Sequence, residues 1–158
     1  MSAPETVRRA LVAEAERCYP KEACGLVFEG PGGTRVAPME NVIDRYHQRD
    51  PERFRRTSAT AYLIDPLRQL AALEAAERAG ERLLSVFHSH VDVGSYFSEE
   101  DRAMALTEGG IPLLPDVSYL VLSVRQGRCD DLREFRFSAG RFEETVLPLP
   151  ERAPLAGP

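Results

Sequence analysis

A chain of 158 residues with 43% hydrophobic composition can bury one core and not two, so a single domain is expected over 1–147, followed by a flexible tail at 148–158. A net charge of −5 gives no overall attraction for nucleic acid, and no run approaches the roughly 20 apolar residues that span a bilayer. Three cysteines without a C-x-x-C pair make no disulfide framework, and the charged start MSAPETVRRALVAEAERC lacks the apolar region of a signal peptide; a soluble cytoplasmic protein is expected.

Val7, Leu11, Ala15 and Cys18 recur every three or four residues with charges between them, which predicts an amphipathic helix ending at Pro20. CGLVF at 24–28 and a second apolar run at 36–43 flank the turn-forming GPGG at 30–33, the pattern of a β-hairpin. DRYHQRDPERFRRTS at 44–58 has neither period and carries five arginines. It reads as a long surface loop, a solvated face or a local basic patch, leading into a strand-like 61–64. His47 lies in it and is assigned no role.

Asp65 followed by Pro66 is a cap residue with proline at the first helical position; Leu67, Leu70, Ala71 and Ala75 then form the expected apolar face of a helix that stops at Gly80. LLSVF at 83–87 has the character of a buried central strand and runs directly into His88-Ser-His90. A helix from Ser98 to about Glu108, a strand at 117–124 and two short strands in REFRFS and RFEETVL around Ala139-Gly140 complete an α/β chain with a central mixed sheet flanked by helices.

Two of the three histidines sit two apart, and residues two apart in a strand face the same side. Seven residues later Ser98 opens a helix whose first turn holds Asp101, so that carboxylate can be aimed back at His88 and His90. Two imidazoles and a carboxylate are a catalytic zinc set with one position left for water. The same residues read equally as a capping box, Ser98 to Asp101, beside two ordinary histidines. A non-haem iron triad uses the same ligand types, whereas magnesium and calcium prefer oxygen alone. Cys24, in an apolar run, is read as core.

The string His88-Ser-His90, seven residues, Ser98, two residues, Asp101 resembles the signature of the JAMM (MPN+) metalloprotease family, and Glu22 in PKEACG stands where that family has its glutamate. The resemblance implies a compact MPN-like, cytidine-deaminase-like fold. It also implies one Zn2+ per chain held by His88, His90 and Asp101, Glu22 as general base and Ser98 as a helper at the oxyanion. Many members have proline after the second histidine, where this chain has Val91-Asp92; that bears on the loop's shape, and Asp92 is read as a solvated acid, not a fourth ligand.

Family members cleave after the tail of ubiquitin or ubiquitin-like proteins, and small bacterial relatives act on sulfur carriers ending in Gly-Gly. The resemblance therefore implies a zinc metallopeptidase that hydrolyses the amide or isopeptide bond after the Gly-Gly tail of a ubiquitin-like or sulfur-carrier protein. A general deubiquitinase-like isopeptidase and a non-catalytic scaffold of the same fold are the alternatives. No oligomeric state is assigned.

Overall fold

The strand β3 (Arg82–Val91) is buried without a break from Ser85 to His90, in keeping with a place inside a sheet. In the computed structural model, which describes residues 3–152, it pairs antiparallel with β1 (Cys24–Gly30) and parallel with β4 (Ser118–Arg125). β2 (Gly33–Met39) closes one edge and β5 (Arg128–Ser138) with β6 (Arg141–Val146) the other, in the order β2-β1-β3-β4-β5-β6. The parallel pair requires a crossover, which contains α4 (Glu99–Ala105). The carboxyl end of β3 thus opens onto a crossover, where open α/β sheets collect their ligands.

Helices cover both faces. α1 (Glu5–Cys18) lays Val7, Leu11 and Ala15 on Val27, Phe87, Leu120 and Leu122. On the other face Leu26, Val86, Val121 and Phe135 pack with Phe97, with Ala105 of α4 and with Ala76 of α3 (Pro66–Arg78). Side chains alternate along a strand, so Phe87 and Ser89 belong to the α1 side and Val86, His88 and His90 to the opposite one. Gly25 has no alternative here: a Cβ would lie 2.5 Å from Ala37 O and 2.6 Å from the Phe87 ring.

The expected first helix, hairpin, capped helix and central strand are all present, with Asp65 Oδ1 accepting from the amides of Leu67 and Arg68. Other expectations need correction. The second hairpin strand ends at Met39, and Ile43 begins a short helix, α2 (Ile43–Arg49), inside the stretch read as loop. Seven residues with one buried position carry too little periodicity to be seen. Of the strand-like 61–64 only Ile64 makes a β-bridge, to Asn41, because the Asn41 side chain bonds Ala61 O and Leu63 N in place of a neighbouring strand.

The face expected to bury α3 is the exposed one: Leu67 is 78% and Leu70 52% accessible, while Ala72, Leu73 and Ala76 meet the sheet. That helix has two apolar stripes, and periodicity alone does not choose between them. α4 stops at Ala105, short of Glu108, and Leu106 turns out to bridge Pro112. β5 starts five residues earlier than expected, joined to β4 by Gln126-Gly127, both at positive φ, as are Ala139-Gly140 before β6. Both are the two-residue turns that suit a twisted hairpin.

Of the expected tail, 153–158 lie outside the described residues. Arg9 donates to Glu151 O, and Arg152 pairs with Glu16 and donates to Cys129 O. Among the described residues no helix is long and apolar enough to cross a membrane.

Candidate metal centre and cleft

The β3 alternation brings His88 and His90 together with their Nε2 atoms 3.2 Å apart. Asp101, in the first turn of α4, places Oδ1 3.3 Å from His88 Nε2 and Oδ2 3.7 Å from His90 Nε2. A tetrahedral zinc shell with bonds of about 2.0–2.2 Å has ligand-to-ligand edges of about 3.3–3.6 Å, and the two nitrogens and the Asp101 carboxylate lie close to that range. His90 Nδ1 bonds Gly94 O at 2.7 Å; carrying the proton there leaves the Nε2 lone pair facing the cluster. His88 is stacked on Tyr62, ring centroids 4.6 Å apart, and its buried Nδ1 has no partner.

The electrostatics describe an electron-rich cluster that attracts a cation. Burial holds the His88 imidazole below its ordinary pKa, against the hydrogen bond that it donates to Asp101. Burial also opposes ionisation of Asp101, but the hydrogen bonds of His88 and His90 overcome it and hold the carboxyl well below the usual range. For His90, burial is outweighed by Asp101 and the Gly94 carbonyl, and the pKa rises.

Glu22 sits just before β1, 4% exposed, and its carboxylate and the two imidazoles each offer a ligand atom within 4.8 Å of the others. Its backbone is fixed on all sides: Glu22 N donates to Ser58 O at 2.7 Å, and Asn41 Nδ2 donates to Glu22 O at 3.0 Å. Burial pushes the Glu22 carboxyl up to about 8, with the Asp101 charge adding to the rise and His90 opposing it. The expected capping box is present in full, Ser98 Oγ accepting from Asp101 N and Asp101 Oδ2 accepting from Ser98 N. Capping and convergence on the histidines coexist, because Asp101 uses Oδ1 toward His88.

Residues 4–138 match the family described as prokaryotic homologs of the JAB domain. The chain belongs to that family. Among its relatives, a CysO-cysteine peptidase of Mycobacterium tuberculosis is 33% identical over 143 residues, 90% of this chain and 86% of that protein. A probable TtuB-protein conjugate cleaving protease of Thermus thermophilus is 40% identical over 86 residues, covering 54% of this chain and 47% of the other. A solved protein of Desulfitobacterium hafniense superposes with a TM-score of 0.64 at 25% identity, covering 93% of this chain and 90% of that one.

This JAB-domain chain also uses residues that the sequence does not single out. Ser89, the spacer between the histidines, faces the α1 side and accepts from Ala23 N at 2.7 Å, tying β3 to the residue after Glu22. Asn41 and Asp44 brace the 44–63 segment through Ala61, Leu63 and Ser58, contacts too distant in sequence to leave a local signal. Asp92 turns from the histidine cluster to accept from Tyr19 Oη and Gln126 N, and Cys24 is buried core. A cleft of about 650 Å³ lies over the cluster, with Glu22, His90, Ser98 and Asp101 in its lining. Arg53, Arg55 and Arg56 of the segment read as surface loop also line it.

Proposed function

We propose that this JAB-domain homologue is a cytoplasmic, zinc-dependent metallopeptidase that hydrolyses the amide or isopeptide bond after the C-terminal Gly-Gly tail of a ubiquitin-like or sulfur-carrier protein. The observation that carries the reading is the convergence of His88 Nε2 and His90 Nε2, 3.2 Å apart, with the Asp101 carboxylate 3.3 and 3.7 Å from them, beside the buried Glu22. His88, His90 and Asp101 would hold one zinc ion, which when bound supplies a Lewis acid that sharpens water as a nucleophile. The two relatives named for cleaving CysO-cysteine and TtuB conjugates support a carrier with such a tail as the substrate. Free Cys18, Cys24 and Cys129 support a reducing compartment.

Glu22 takes a proton from the attacking water, the water oxygen bonds to the scissile carbonyl carbon, and the C–N bond breaks as Glu22 passes the proton to the departing amine. Burial raises the affinity of the Glu22 carboxylate for a proton, which suits it to take one from water. Ser98 Oγ already accepts from Asp101 N, which leaves its own proton to donate to the oxygen where charge develops. The retention of all these groups speaks against the scaffold alternative.

The test is a metal analysis and a turnover assay on a carrier whose Gly-Gly end is amide-linked to an amino acid. About one zinc per chain is expected, and Glu22→Gln should keep the metal while losing about 10²–10⁴ in kcat. Turnover that survives exhaustive chelation, or an unimpaired Glu22→Gln, overturns the reading.

A further inference from the structure

The two imidazoles of the cluster are held in different ways. His90 bonds Gly94 O through Nδ1, and its aromatic neighbour, the half-exposed Tyr96, lies inclined to it at 54°. His88 has no such bond: among the described residues its Nδ1 is buried without a partner, in a side chain that is 1% exposed. A histidine that ligates through Nε2 carries its remaining proton on Nδ1, and an acceptor there ordinarily fixes the orientation of the ring. The orientation of His88 has to come from another contact.

That contact is Tyr62. The two rings are stacked, with centroids 4.6 Å apart and planes 22° from parallel. His90 lines the cleft whereas His88 does not, and Tyr62 stands in the lining, so the phenol ring covers the imidazole on that side. A stacked ring resists tilting of its neighbour, because tilting opens a gap and forfeits contact over the whole face. With its plane held, His88 keeps Nε2 directed at His90 Nε2, 3.2 Å away, and at Asp101 Oδ1, 3.3 Å away.

The backbone on either side of Tyr62 is clamped by a single side chain. Asn41 Nδ2 donates to Ala61 O, and Asn41 Oδ1 accepts from Leu63 N, both at 3.0 Å. The same Nδ2 donates to Glu22 O at 3.0 Å, so the segment that carries the stacked ring and the residue that carries the buried carboxylate share one anchor.

We infer that Tyr62 is a positioning residue of the metal centre, its ring, seated by Asn41, holding the plane of His88 in the role that the Gly94 carbonyl has for His90. The inference rests on the zinc-binding part of the reading above, and binding is measured apart from turnover so that the two can fail separately.

Tyr62→Phe keeps the ring, and Tyr62→Leu replaces it by an aliphatic group. Zinc affinity of the chelator-stripped proteins is measured by competition with a chromogenic chelator, well below the melting transition. Tyr62→Phe should bind zinc as tightly as the parent, and Tyr62→Leu about 10–100-fold more weakly, the usual loss when a ligating histidine is deprived of its orienting partner. A side chain that served only packing would lower the melting temperature of the stripped protein and leave the zinc Kd unaltered. A Tyr62→Leu protein that binds zinc like the parent, or a Tyr62→Phe protein that loses as much as Tyr62→Leu, overturns the role of the ring.

A second measurement needs no variant and decides the matter even if Tyr62→Leu does not fold. In proton NMR of the unaltered chain, the His88 ring signals should lie upfield of a free imidazole, shielded by the Tyr62 face, before zinc is added as well as after. Signals that move upfield only on zinc binding would show that the metal sets the stack and overturn the inference, even in a chain that cleaves its substrate. Zinc binding that depends on the ring in a chain that cleaves no carrier adduct supports the positioning role while the hydrolytic reading falls.

Discussion

The amide of Ala23 donates a 2.7 Å hydrogen bond to Ser89 Oγ, and the amide of Ser89 returns one of 3.0 Å to the Ala23 carbonyl. This reciprocal pair extends the β1–β3 ladder past Cys24 and His88 and fastens the residue after Glu22 to the residue between the histidines. Ser89→Ala leaves the Ala23 N–H without its acceptor in a place where Ser89 is 1% exposed, which should cost about 1–3 kcal/mol. The same change loosens Glu22 relative to the cluster, so kcat should fall about tenfold while zinc content holds, as expected when a catalytic group loses its alignment. Denaturant unfolding together with turnover checks this; an unfolding midpoint equal to the parent's would show that the serine is a mere spacer.

Asp44 should make the stability of the 44–58 segment dependent on pH. The hydrogen bonds from Ser58 Oγ and Ser58 N hold its carboxyl below the ordinary 3.8, with burial opposing and Lys21 assisting. A carboxylate depressed on folding contributes stability that is fully present above its unfolded pKa and is lost as pH falls through the folded one. Asp44→Ala should therefore cost about 1–2 kcal/mol near pH 7 for two lost hydrogen bonds, and the gap from the parent should close progressively below about pH 4. A gap that stays constant from pH 7 to pH 3 in thermal melts would count against this role.

How much of this could be read from residues alone depends on how local each signal is. The histidines were visible because a strand repeats every two residues, and Asp101 because a serine three positions earlier marks a helix start. Glu22 had no such mark; only its likeness to a family pattern raised it above an ordinary exposed acid, and in the fold it is 4% exposed. The burial of α3 was misread because PLRQLAALEAAER offers two apolar stripes and only the sheet chooses Ala72, Leu73 and Ala76. The course of the 44–58 segment was hidden for a different reason. Its brace is made of single side chains, Asp44 and His47, reaching 14 and 7 residues along the chain, and no periodicity encodes such a contact.

Zinc should stabilise the fold, because the native chain brings two Nε2 atoms 3.2 Å apart beside a carboxylate and the unfolded chain holds no such set of ligand atoms together. A ligand bound only by the native state adds about 2.7 kcal/mol when present at 100 times its Kd, and for a chain of this size each kcal/mol moves Tm by roughly 2–4 °C. Adding zinc to chelator-stripped protein should therefore raise Tm by about 5–10 °C, and His88→Ala should abolish the rise. The two carboxylates can be told apart by the same measurement. With Asp101 as ligand and Glu22 as proton carrier, Asp101→Ala loses most of the zinc-induced shift and Glu22→Gln keeps it. Glu22 is also within 4.8 Å of both imidazoles, so the opposite result, a shift that survives Asp101→Ala but not Glu22→Gln, would make Glu22 the third ligand and leave the proton transfer to another group.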